Sequence, residues 1–163
     1  MKTNLSKRMS VVTGFVIFFG VVNIAWLLVH AEAAVGGIWT EPEMALAKWD
    51  ESILGYQILL LSGRTLLGIV TNVLAMLFML QSIKLMRCGE FFSKRNANII
   101  WWSAPIYFLY SFCSDNMPIV YGLLRLRNIV INPDSLFIPL LLIGIAMIYS
   151  TGVRLSEENR LTV

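Results

Sequence analysis

The sequence predicts an all-α fold, an integral membrane four-helix bundle with both termini in the cytoplasm. Three observations predict it. Of the 163 residues, 57% are hydrophobic and 14% charged, where a soluble domain has about a quarter charged; the mean hydropathy is +0.71. The apolar residues fall into runs near or above the ~18–20 that cross a bilayer as helix. Between two of these runs, Lys84 to Asn98 (KLMRCGEFFSKRNAN) is a polar island carrying Lys84, Arg87, Lys94 and Arg95 against one acid, Glu90. Lys and Arg near span ends are retained on the cytoplasmic side, so this island sets the direction of every span. The length goes into spans instead of a soluble core, which predicts a single membrane domain over residues 1–163.

The first span is expected at 10–30, behind a basic start with Lys2, Lys7 and Arg8. Its apolar run exceeds the ~7–15 residues of a cleaved signal, so it reads as retained, although Ala31-Glu32-Ala33 resembles a cleavage site. Residues 31–55 form an acidic outer loop in which Gly36-Gly37 ends the first helix. Thr40-Glu41-Pro42-Glu43 has the capping-box pattern of a helix start. Trp39 and Trp49 suit a membrane–water interface.

The second span is expected at 57–86, with Arg64 towards its outer end and Thr71, Asn72 and Gln81 as polar members. Gly89 suits a left-handed helix end and Ser93 an N-cap. The third span is expected at 97–123, with Trp101 and Trp102 at its inner boundary and Pro105 and Pro118 inside it. The fourth is expected at 135–153, followed by a polar cytoplasmic tail over 154–163. Nine of the thirteen Lys and Arg residues fall on the inner side of this arrangement; Arg125 and Arg127 are the main exceptions.

A net charge of +3 and a pI near 9.0 do not call for nucleic acid, because the basic residues flank apolar runs and form no phosphate-binding tract. Cys88 and Cys113 are placed at opposite ends of the molecule, too far apart for a disulfide. Two distant cysteines and one histidine do not make a metal site, and neither metal nor cofactor is expected. No Ser/His/Asp set, HExxH or P-loop appears, so an enzyme is not expected.

Cys88-Gly89-Glu90-Phe91-Phe92-Ser93-Lys94-Arg95-Asn96 resembles the loop of a family of small four-span bacterial membrane proteins, catalogued as a domain of unknown function. Residues 152–163, GVRLSEENRLTV, resemble that family's ending, and Met117-Pro118 resembles a feature of its third span. Members are often encoded beside a small Cro-like helix-turn-helix regulator. The resemblance therefore implies a cytoplasmic protein partner of that kind; it brings no catalytic or ligand residue.

Two groups of candidate residues follow. Arg64 and Asp115 lie at similar depth, about twenty residues from the inner loop on adjacent spans. With Asn72 further in, they form a candidate intramembrane polar site. Adjacent helices are expected to bring Arg64 and Asp115 into contact, as a polar ligand or ion site; a structural ion pair, or Arg64 snorkelling alone, is the plain alternative. The second group is Phe91, Phe92, Lys94 and Arg95 in the loop with Leu155, Glu157, Glu158 and Leu161 in the tail, as a partner-binding surface. The leading expectation is a regulatory or scaffolding protein of the bacterial inner membrane. The alternatives are a small-solute or ion-handling protein and a membrane protection or immunity protein. The lipid bilayer is a partner in each case, and a homo-oligomer is compatible with all of them.

Overall fold

The computed structural model describes residues 2–36, 44–90 and 92–161, with side chains from residue 7 to residue 159 within those stretches. The expected helix start at Thr40–Glu43, and Trp39 and Phe91, lie outside them. The architecture is all-α, with no strand among the described residues. Four long helices, α1 (Lys2–Val35), α2 (Leu54–Arg87), α3 (Lys94–Asp115) and α5 (Asp134–Leu161), are joined by the short α4 (Met117–Val120) and a 3-10 turn at Leu126–Asn128. Three helical stretches are long and apolar enough to cross a membrane: Lys7–Val35, Leu54–Arg87 and Asp134–Asn159.

The helices pack in chain order, α1 on α2, α2 on α3 and α3 on α5, and α1 forms no comparable interface with α5. Of the four, α3 is the least apolar. It is covered on two sides by α2 and α5, as α2 is by α1 and α3, and it alone of the four is not apolar enough to count as a candidate span. By contrast, α1 leaves Phe15, Phe18 and Phe19 exposed, and α5 leaves Phe137, Leu140 and Ile148 exposed.

The seam between α1 and α2 rests on a seven-residue spacing. Thr13, Gly20, Leu27 and Ala34 are the buried residues of α1, the repeat of left-handed helix packing. Their partners on α2 run antiparallel. A Cβ on Gly20 would lie 3.2 Å from Met76 Sδ, and one on Gly68 would lie 2.7 Å from Leu27 Cδ1 and 2.9 Å from Tyr110 Cε2. Gly68 thus lets three helices approach at one level, the use that small residues have where lipid tails are as apolar as side chains.

Helix ends follow local chemistry. Gly89, at φ 79°, closes α2; its N–H donates to Met86 O at 3.1 Å and Glu90 N–H donates to Leu85 O at 2.9 Å, the paired bonds of a Schellman end. Ser93 caps α3 by accepting from Asn96 N–H at 3.2 Å. Both match the sequence reading.

The third helix does not. It was expected to run to 123, but α3 ends at Asp115 and α4 begins at Met117. Proline lacks an N–H, so Pro118 sits in the first turn of a new helix and not inside the old one. Asn116 fills the junction. It is fully buried, donates to Phe112 O at 2.9 Å and Val130 O at 2.8 Å, and accepts from Val130 N–H at 2.9 Å. One amide therefore binds both backbone groups of a residue in the α4–α5 connection.

A second buried amide organises the α1–α2 connection. Gln57 accepts from Asp50 N–H at 3.0 Å and donates to Lys48 O at 2.9 Å and Ile119 O at 3.2 Å. Lys48 N–H donates to Val120 O at 2.9 Å, and Ala47 N–H to Ala34 O at 3.1 Å. Residues 46–50 are thereby tied to the end of α1, to α2 and to α4. Asp50 accepts from Ser52 Oγ at 2.6 Å and Ser52 N–H at 2.9 Å, bonds that hold its carboxyl below the usual range.

Two glycines on long helices should respond with opposite sign. Gly68→Val should lower stability by roughly 1–3 kcal/mol through overpacking against Leu27 and Tyr110. Gly144→Ala, where a Cβ meets nothing within 4 Å, should raise it by up to about 1 kcal/mol. Thermal unfolding of the full chain in detergent micelles measures both.

Candidate functional site

Arg64 is carried on the face of α2 that also buries Gln57, Leu60 and Gly68. It is 7% exposed, so it does not snorkel out of the bundle. Its guanidinium carbon lies 5.3 Å from the centre of the Trp26 ring. Trp26 also stacks on His30, one turn along α1, with ring centres 3.8 Å apart. Arg64 Nε and His30 Nδ1 are buried without a hydrogen-bond partner, and no ion pair to Arg64 occurs among the described residues. A cation–π contact contributes about 0.5–2 kcal/mol. Taking a charged group out of water costs several kcal/mol per ion, so the indole offsets only part of the cost of holding this charge.

Asp115 has a different neighbour. It accepts from Ser135 Oγ at 2.5 Å, which joins the end of α3 to the start of α5. No ion pair links it to Arg64 among the described residues. Similar depth was legible from the sequence, but depth leaves the direction around each helix open, and here each residue is engaged by a different helix. Asn72 donates to Gly68 O one turn back along its own helix at 2.8 Å. It shares a crevice of about 340 Å³ between α1 and α2 with Asn23, Gly20, Phe19 and Ala75. The three expected polar-site residues thus occupy three local environments.

The loop and tail residues do come together. Since α1, α2, α3 and α5 alternate in direction, the start of α1, the α2–α3 connection and the end of α5 share one end of the bundle. Phe92 lies on α5, its ring 5.1 Å from that of Tyr149 and in the space a Cβ on Gly152 would need, 2.7 Å from Phe92 Cε1. Lys94 Nζ pairs with Glu157 Oε1 at 3.0 Å, and Arg154 with Glu158 at 3.3 Å. Both pairs are exposed and contribute at most about 1 kcal/mol each. Leu155 and Arg95 are exposed. Phe91 and the side chain of Leu161 lie outside the described residues.

The residue beneath this surface was missed in the sequence. Asn96 is fully buried and donates to Ser82 Oγ at 3.0 Å and Tyr149 Oη at 3.3 Å, joining α2, α3 and α5. A polar residue three positions after a capping serine looks like part of a solvated first turn. Its signal is the apolar face it begins, continued by the buried Ala97, Ile100 and Ala104.

Cys88 is exposed, Cys113 buried, and both are free. An open apolar hollow of about 570 Å³ lies at the other end between α1 and α2, lined by Ala31, Val35, Trp49, Ile58 and Leu66 among others.

These features define a class: an all-helical bundle with three helices long and apolar enough to cross a membrane and a composite polar surface at the end that carries both termini. No family model, no curated protein and no solved structure matches the chain.

Asn96→Ala should lower stability by about 2 kcal/mol, because it leaves Ser82 and Tyr149 without a shared partner. Ser82→Ala should cost about half as much, since Asn96 keeps Tyr149. Unfolding midpoints of the two variants in the same detergent give the comparison.

Proposed function

We propose that this chain is a multi-pass protein of the bacterial inner membrane with both termini and the α2–α3 connection in the cytoplasm. There it serves as a regulatory or scaffolding component that engages a cytoplasmic protein through the joined loop and tail. The observation that carries this reading is the joining itself. Phe92 rests on α5 at Tyr149 and Gly152 while Lys94 pairs with Glu157, so two segments 60 residues apart in the sequence form one surface. The tail continues α5 as helix to Leu161, with Leu155 exposed beside charged residues. An exposed apolar side chain on a charged helical projection suits a helix or groove of another protein.

The concentration of Lys and Arg at this end supports the cytoplasmic orientation. A groove of about 480 Å³ there is lined by Lys84, Arg95, Cys88 and Leu80 among others. The resemblance of Cys88–Asn96 and of residues 152–163 to the small four-span family supports a helix-turn-helix regulator as the partner. On this reading the protein makes no direct contact with nucleic acid and performs no catalysis.

Membrane co-purification tests the proposal. The full chain should retain the neighbouring regulator, and a chain ending after Val153 should lose it. Lys94→Glu should weaken retention by breaking the Lys94–Glu157 pair, and combining it with Glu157→Lys should restore part of it. Equal recovery of the regulator, or none, from full-length and truncated chains would sink the idea.

A further inference from the structure

At the opposite end of the bundle, the α1–α2 seam carries polar groups that its packing does not use. On α1, Asn23, Trp26 and His30 follow one another at three- and four-residue steps, beside the buried heptad residue Leu27. On α2, Arg64, Gly68 and Asn72 repeat at four-residue steps. The two stripes meet. Arg64 lies over Trp26, Leu27 covers Gly68, and Asn23 and Asn72 line one crevice that goes on between Phe19, Phe15 and Val12. From Arg64 to Asn72 is about 12 Å along the helix. The sequence of environments is a nine-tenths buried guanidinium whose Nε has no partner, then two amides, then an apolar crevice of about 340 Å³.

We propose that Arg64 is the phosphate-binding residue of a site that holds one membrane phospholipid along the α1–α2 seam, its head at Arg64 and an acyl chain in the Phe15–Phe19 crevice. The chemistry selects this occupant. A planar guanidinium matches phosphate oxygens in pairs and is weakly hydrated enough to do so away from water. An acyl chain starting below that head runs past Asn23 and Asn72 into the crevice, whose Val12, Phe15 and Phe19 walls suit a hydrocarbon chain. A phospholipid reaches about half the thickness of a bilayer, which is the distance from Arg64 to the inner part of the crevice. Trp26 faces the guanidinium carbon at 5.3 Å and accepts no hydrogen bond from it, which leaves its N–H groups for the phosphate. The proposal requires the membrane location but not the cytoplasmic partner, so its failure leaves the partner reading standing.

Thermal unfolding of the purified full chain in detergent tests it, with dimyristoyl phosphatidylglycerol, a neutral dimyristoylglycerol and inorganic phosphate added separately. The phospholipid should raise the midpoint by about 5 °C near saturation, and the neutral lipid should not. Arg64→Gln should weaken the phospholipid response at least tenfold in concentration, and Arg64→Lys should weaken it less. Ala75→Phe, which fills the crevice and leaves Arg64 intact, should also abolish the response; it serves if Arg64→Gln does not fold. Equal stabilisation of wild type and both variants, or an equal response to the neutral lipid, would show a non-specific lipid belt and overturn the site. An equal response to inorganic phosphate alone would overturn the lipid assignment.

Discussion

Helix association in this molecule depends on a few buried amides. Apolar attraction is non-directional, so apolar contact alone fixes neither register nor partner. A buried amide is different, because leaving it unpaired in a hydrocarbon-like interior costs about 1–3 kcal/mol. Asn116 and Gln57 bind the two connections at one end, and Asn96 binds α2, α3 and α5 at the other. Between these knots the helices need only close approach, which Gly20, Gly63 and Gly68 allow.

That arrangement separates the molecule into two ends with different character. The end with the two long connections is rigidly cross-tied and, among the described groups, holds the charge that the bundle does least to satisfy, Arg64. The end with both termini is tied beneath its surface by Asn96 but offers charged and apolar groups outward, in Arg95, Leu155 and the exposed pairs Lys94–Glu157 and Arg154–Glu158. The first suits a ligand held along helices and the second a partner arriving from outside.

The open packing order has its own consequence. Since α1 is anchored through α2 and forms no comparable interface with α5, it is held by its heptad of Thr13, Gly20, Leu27 and Ala34, by the Trp26–Arg64 contact and by the backbone bonds of residues 46 and 47 to its end. Crevices flank that seam, which is why Asn23 and Asn72 line an open groove instead of binding one another.

The sequence by itself determined the all-α class and the helix ends on either side of the α2–α3 connection. Long apolar runs admit only helices that satisfy their own backbone, and Gly89 and Ser93 announced the ends they form. It also marked loop and tail, because charge and turn residues interrupt the apolar pattern there. The tertiary structure alone decided which residues meet. Helical periodicity gives depth but not the rotation of one helix against its neighbour, so Arg64 turned to Trp26 and Asp115 to Ser135 instead of to each other. It also decided where α3 stops, since Pro118 is tolerated within a spanning helix or at the start of a new one. What selected the second was the bond from Asn116 to Val130, fourteen residues on, a contact that no local pattern encodes.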